Sequence, residues 1–208
     1  MKINSEKTKL MLFNTSKKFD FMPEINLDNQ SDNLELVESM KLLGITLTSD
    51  MKWQAHVTEL SKKGMLKLWM LRRLKKIGTS QSTLLDLYKK QIRSLLEYAA
   101  PVWHPGLFDM DIQELERVQK TALAIIYGRQ PYKSVLRNNK IKTLHERRED
   151  LCLKFAMKSA KHPQFTEWFN QKQNLVNTRS SRKFYDVPFK TLRWKNSPIP
   201  FMTNLLNS

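Results

Sequence analysis

A single cysteine, Cys152, stands in a chain of 208 residues, which excludes an intrachain disulfide framework and any cysteine-rich zinc site. Only five glycines occur, and none falls in a Gly-x-x-x-x-Gly-Lys phosphate loop or a Gly-x-Ser-x-Gly nucleophile turn. No apolar run approaches the roughly 18 to 20 residues of a membrane-spanning helix, and Met1-Lys2-Ile3-Asn4 opens no secretory signal. An intracellular location, nuclear or cytoplasmic, is expected, with no membrane partner. Acidic residues are also scarce: 20 stand against 36 Lys and Arg, leaving a formal charge of +16 and a pI near 9.9. Such a field favours a polyanion, nucleic acid above all, as partner.

The charge is uneven along the chain. Residues 1–52 carry 7 basic and 8 acidic side chains, whereas residues 53–208 carry 29 basic and 12 acidic. The surface for a polyanion is therefore expected beyond Lys52.

The neutral first segment reads as strands. Leu10-Met11-Leu12-Phe13 and Lys41-Leu42-Leu43-Gly44-Ile45-Thr46-Leu47-Thr48 are short apolar runs separated by polar, turn-rich sequence. Two or three such strands with no covering helix look like the edge of something larger. From Trp53 the period becomes helical. Val57, Leu60, Gly64, Leu68 and Leu71 share one face, with Gly64 admitting a close neighbour, and the helix stops near Gly78. A second helix is expected from an N-cap at Thr79-Ser80, through Leu84, Tyr88, Ile92 and Leu96, to a stop before Pro101. A third starts around Asp111, with Glu114 three residues on, and ends at Gly128. A fourth starts from the Thr143/Glu146 capping box and closes before Pro163. The fold class expected is mainly α: a helical bundle over 53–163, preceded by a small β segment over 1–50 and followed by a basic, aromatic tail over 164–208. Much of that tail is expected to be extended and poorly held, its last piece forming a short helix that docks Ile199, Met202 and Leu206.

The stretch Gln91 to Leu107, reading QIRSLLEYAAPVWHPGL, gathers Glu97, Tyr98, Trp103 and His104. Hydrolysis through His104 needs a partner held nearby, and Glu97 lies across the Pro101 break. His56, His104, His145 and His162 are scattered without ligand spacing, so no metal and no cofactor is expected for this chain. The stretch reads as a helix end followed by a packed corner.

The residues also carry a resemblance. Asn4-x-x-Lys7-Thr8 comes first, then Leu43-Gly44-Ile45-Thr46-Leu47 with Trp53 and His56, then Leu71-Arg72-Arg73-Leu74-Lys75. Tyr88 to Leu107, Leu115-Glu116-x-Val118-Gln119-Lys120, Thr143-Leu144-x-x-Arg147-Arg148-x-x-Leu151-Cys152 and Ile199-Pro200-Phe201 follow in order. This succession resembles the C-terminal part, the end of the palm plus the thumb, of LINE-type, jockey-like non-LTR retrotransposon reverse transcriptases. The resemblance implies an RNA-directed DNA polymerase lineage and a helical thumb that grips the template-primer duplex. It implies that Leu43, Gly44 and Ile45 form the turn that holds the primer end. It makes Lys7 the palm lysine near the leaving pyrophosphate.

The intact family enzyme uses divalent metal held by aspartates, one pair in an aromatic-Ala-Asp-Asp turn. This chain contains no Asp-Asp dipeptide. Met1 to Asn4 resembles the stretch that follows that turn, so the chain is expected to begin just after the catalytic block and to be inactive alone, with no catalytic residue of its own. What the residues offer is binding. Lys62, Lys63, Arg72, Arg73, Lys75 and Lys76 lie on the first helix, and residues 61–93 hold ten basic side chains against Asp86 alone. Phosphate contacts from such a face give affinity without sequence preference. Two other readings stand beside this one: a structural or protein-interaction module whose exposed strands over 1–50 take a partner, and an expressed transposon remnant with no selected role; the missing polymerase portion in trans is a further candidate partner.

Overall fold

The computed structural model describes residues 8–13, 35–171 and 183–208. The chain divides into two compact units, Met1–His56 and Val57–Ser208. It is mainly helical, with a small strand region before a long run of helices. Lys7 lies outside the described residues.

Among the described residues, the first unit holds two two-stranded sheets. β1, Lys9–Leu10, pairs in parallel with β2, Glu35–Leu36, and an exposed ion pair of 2.9 Å joins Lys9 to Glu35. β3, Ser39–Leu42, and β4, Ile45–Thr48, form an antiparallel hairpin in which Leu42 pairs with Ile45. The two residues between them, Leu43 and Gly44, both have positive φ, 47° and 83°. That is the backbone twist a tight two-residue hairpin turn needs. Beyond β4, Asp50 accepts from the Thr48 hydroxyl at 2.7 Å and from the Lys52 N–H at 3.1 Å, closing the turn that follows the hairpin.

The second unit begins within α1, Gln54–Lys76. Val57, Leu60, Gly64, Leu68 and Leu71 are all buried. Each of the fully buried leucines is worth about 1.5–3 kcal/mol relative to exposure. At Gly64 a Cβ would meet Val118 Cγ1 at 3.0 Å and Leu96 Cδ2 at 3.3 Å. The bare backbone therefore sets how closely α1 approaches its neighbours.

α2, Gln81–Leu87, starts from Ser80, whose hydroxyl accepts from the Thr83 N–H at 3.2 Å. A π-helical turn, Tyr88–Arg93, follows, then α3, Ser94–Glu97. The expected stop at Pro101 is displaced. Helical backbone breaks at Tyr98 (ψ 128°), Ala99 takes a left-handed φ of 52°, and Pro101 sits in the first turn of α4, Ala100–Trp103. A proline is tolerated there because its missing N–H has no helical acceptor in the first turn. A 3₁₀ turn, His104–Gly106, leads to α5, Asp109–Tyr127.

α5 begins two residues before the expected start, because Asp111 rather than Glu114 reaches back, accepting from the Phe108 N–H at 3.1 Å. Glu114 instead accepts from Ser61 of α1 at 2.6 Å. α6, Tyr132–Asn138, is a short helix that hydrophobic spacing does not reveal. α7, Leu144–Ser159, carries the expected capping box: the Glu146 N–H donates to Thr143 Oγ1 at 3.2 Å, and the Thr143 N–H donates to Glu146 Oε2 at 2.9 Å.

A satisfied polar cluster ties these elements together. The buried Tyr88 hydroxyl donates to Gln119 Oε1 at 2.5 Å, and Gln119 Nε2 donates to the Tyr132 hydroxyl at 2.7 Å and to the Lys142 carbonyl at 3.2 Å. Tyr132 donates to Glu116, whose other oxygen accepts from the Leu144 N–H at 3.0 Å. A carboxylate at the start of α7 also meets the positive end of that helix dipole.

After a 3₁₀ turn, Pro163–Trp168, and α8, Leu192–Lys195, the chain ends in α9, Pro198–Asn207. Met202 joins Cys152, Ala156, Ala160, Phe169 and Phe184 in a small core, with Phe201, Leu205 and Leu206 packed against it. The Asn207 side chain exchanges hydrogen bonds with the backbone of Phe184, at 3.1 and 3.2 Å. Residues 183–208 thus help close the core of the second unit. Part of the segment expected to be extended, 172–182, lies outside the described residues.

Candidate functional sites

Helix α1 presents Lys62, Arg72, Arg73 and Lys76 on the side away from Leu68 and Leu71, whereas Lys75 falls in line with those leucines. Lys62, Lys63, Arg72, Arg73, Lys75 and Lys76 are all exposed. They are not equivalent. Lys63 pairs with Glu59 one turn earlier at 2.5 Å, and Lys75 Nζ donates to the Ile126 carbonyl at 2.5 Å, in the last turn of α5. Lys67 donates to the Gln91 carbonyl at 3.0 Å. Lys62, Arg72, Arg73 and Lys76 have no acidic partner among the described residues. Between these cations α1 exposes Leu66 and Trp69, and Ile77 follows exposed just past its end, at 71%, 60% and 77% of their full surface. The charges of this face are the feature expected from the sequence; its apolar component is an addition. The signal was present, since Leu66, Trp69, Arg73 and Ile77 follow one another at spacings of three and four.

The turn residues Leu43, Gly44 and Ile45 lie at the tip of the β3–β4 hairpin. Leu43 is 82% exposed there, while Ile45 is buried. Holding a leucine at positive φ costs about 1–2 kcal/mol.

The corner after α4 departs from expectation. The scattered histidines were read as unable to form a site, and no cofactor was expected. The fold corrects this: one donor atom each of His104, His145 and Glu149 lies within 4.8 Å of the other two. His104 comes from the 3₁₀ turn, and His145 and Glu149 stand one turn apart on α7, with His145 Nε2 3.5 Å from Glu149 Oε1. The two imidazole rings meet edge to face, their centroids 5.1 Å apart. Sequence spacing could not bring His104 to α7. The sequence signal for this site is the His145/Glu149 pair at i,i+4, a spacing that places both on one helix face.

Arg148 completes this corner. It is fully buried, its Nε donates to His104 Nδ1 at 3.2 Å, and its guanidinium carbon lies 5.6 Å from the Trp103 ring centre. Burial pulls its pKa down to about 10. Burial first, then the charges of Arg148 and His145, lowers His104 to about 3, so its imidazole is neutral at physiological pH. Within this corner four buried nitrogens find no hydrogen-bond partner among the described residues: His104 Nε2, His145 Nδ1, and both terminal nitrogens of Arg148. Orphaned polar atoms of this kind are uncommon in folded proteins.

No helix of the described residues is long and apolar enough to cross a membrane. Comparison with known proteins finds no family model, no curated protein and no solved structure that matches this chain.

Proposed function

We propose that the helical unit is a nucleic-acid-binding module that grips a duplex backbone through the outer face of α1, in the manner of the reverse-transcriptase thumb it resembles in sequence. The observation that carries this reading is the set Lys62, Arg72, Arg73 and Lys76: four exposed cations on one helix with no acidic partner among the described residues. Cations left unneutralised in a chain of +16 are positioned to displace the counterions of a polyanion. Trp69 adds an exposed aromatic ring in their midst, suited to stack on a base or a sugar edge where a strand opens. In this reading the chain contributes binding and extends no primer, since it lacks the Asp-Asp pair that would hold catalytic metal.

The test is duplex affinity as a function of salt, on B-form DNA of mixed sequence. Replacing Arg72, Arg73 and Lys76 together by Gln preserves helix propensity and is expected to reduce the magnitude of the log-log salt slope by about 2 to 3. The charge-matched control replaces Lys154, Lys158 and Lys161, exposed residues of α7 and the turn after it. Equal losses from both sets would mean attraction by net charge alone and would remove the α1 assignment.

A second reading has its own observation. Leu66, Trp69 and Ile77 form an exposed apolar strip, which equally suits a protein partner. Loss of a protein complex in a Trp69→Ala variant that keeps its full salt slope on DNA would favour it.

A further inference from the structure

We propose that His104, His145 and Glu149 form a binding site for one zinc-type divalent cation, bridging the corner after α4 to the start of α7. Two imidazoles and a carboxylate whose donor atoms all lie within 4.8 Å of one another match the chemistry of first-row transition ions. Magnesium and calcium prefer oxygen alone. Zinc bonds of about 2.0–2.2 Å in a tetrahedral array require these donors to close by a further step. Glu149 can make that step, being a partly exposed side chain on the outer side of the cluster. Three protein donors leave a fourth position for water.

One observation beyond proximity supports the site. His104 is 3% exposed and its Nε2 is unpartnered among the described residues, as is Nδ1 of His145. A bound ion would use lone pairs on these two rings.

Arg148 opposes the ion. Its Nε donates to His104 Nδ1, which places the ring's own proton on Nε2 in the metal-free protein. Coordination through Nε2 moves that proton to Nδ1 and ends the Arg148 hydrogen bond; coordination through Nδ1 displaces Arg148 directly. The ring stays neutral either way. Arg148 and the cation therefore compete for one imidazole, and the Glu149 carboxylate offsets the guanidinium charge. Affinity should rise when Arg148 is replaced by Met, which keeps an apolar stem and removes the donor.

The experiment is equilibrium dialysis of untagged full chain against Zn(II), with the visible absorption of Co(II) as a second readout of nitrogen-oxygen coordination. One ion per chain is expected. His145→Ala and Glu149→Gln change partly exposed side chains and should each weaken binding at least tenfold. His162→Ala, an exposed histidine outside the cluster, should leave binding unchanged. The fold of each variant is checked by circular dichroism. Binding that survives both His145→Ala and Glu149→Gln, or a wild-type chain that takes up no more ion than their double variant, would overturn the site.

Discussion

Arg147 of α7 forks onto Glu97 at the end of α3, its Nε and Nη2 each 3.1 Å from a different carboxylate oxygen. Arg93, 3.5 Å from the same carboxylate, adds a second cation. The neighbouring Arg148 meets His104, so consecutive arginines of α7 take up the two groups that look most like an acid-base pair in the sequence. The fork is mostly shielded from water, Glu97 being 11% and Arg147 25% exposed in their side chains. A two-pronged, charge-assisted contact of this kind is stronger than a surface pair.

Glu97→Gln is therefore expected to destabilise the protein by about 1–2 kcal/mol in urea unfolding. Arg147→Lys should cost a large part of that despite keeping the charge, because lysine cannot supply the planar fork. Lysine restoring full stability would show that charge alone matters there.

Gly64 gives the second expectation. Alanine would gain up to about 1 kcal/mol of helix propensity. Its Cβ, however, would stand 3.0 Å from Val118 Cγ1 and 3.3 Å from Leu96 Cδ2. Val118 and Leu96 are fully buried, and overpacking of this sort costs about 1–3 kcal/mol. Gly64→Ala should be destabilising by about 1 kcal/mol and Gly64→Val by more, as read from unfolding midpoints. A stabilised Gly64→Ala would mean that α1 can move away from α5 freely.

Gly64 also shows what the sequence made legible. A helix that buries one face writes that face at spacings of three and four, and Val57, Leu60, Leu68 and Leu71 are buried as their spacing implies. The Thr143/Glu146 cap was legible because both partners lie within one turn. The break at Ala99 was not, since its left-handed φ of 52° falls on a residue with no preference for it. The π turn at Tyr88–Arg93 is a change of hydrogen-bond register with no mark in the hydrophobic pattern. His104 and Arg148 are 44 residues apart in sequence, and only tertiary packing brings them together.

The turn after β4 carries a pH dependence. Asp50 is lowered to about 2 from its ordinary 3.8, chiefly by the Thr48 hydroxyl and then by the Lys52 N–H. A carboxylate with a lowered folded pKa adds stability above its unfolded pKa and loses that contribution as pH falls through the folded value. The turn should therefore hold at pH 5 and loosen between about pH 4 and 2. The Lys52 amide chemical shift should follow a midpoint near 2, and Asp50→Asn should abolish that titration. A midpoint near 3.8 would show that the two hydrogen bonds do not persist in solution.

Lys75 separates structure from binding within the basic face. It falls in line with the apolar stripe of α1, and its ammonium donates to the Ile126 carbonyl, where a cation meets the negative end of α5. Lys62, Arg72, Arg73 and Lys76 have no such attachment among the described residues. Lys75→Gln is expected to lower stability by about 1 kcal/mol while leaving the salt slope of duplex binding nearly unchanged. The Arg72, Arg73 and Lys76 triple variant should do the reverse, keeping the unfolding midpoint and losing slope. Unfolding and salt titration on the same preparations decide between them. A Lys75→Gln variant that loses a full phosphate contact, about 0.9 in slope, would place Lys75 on the nucleic acid and not on α5.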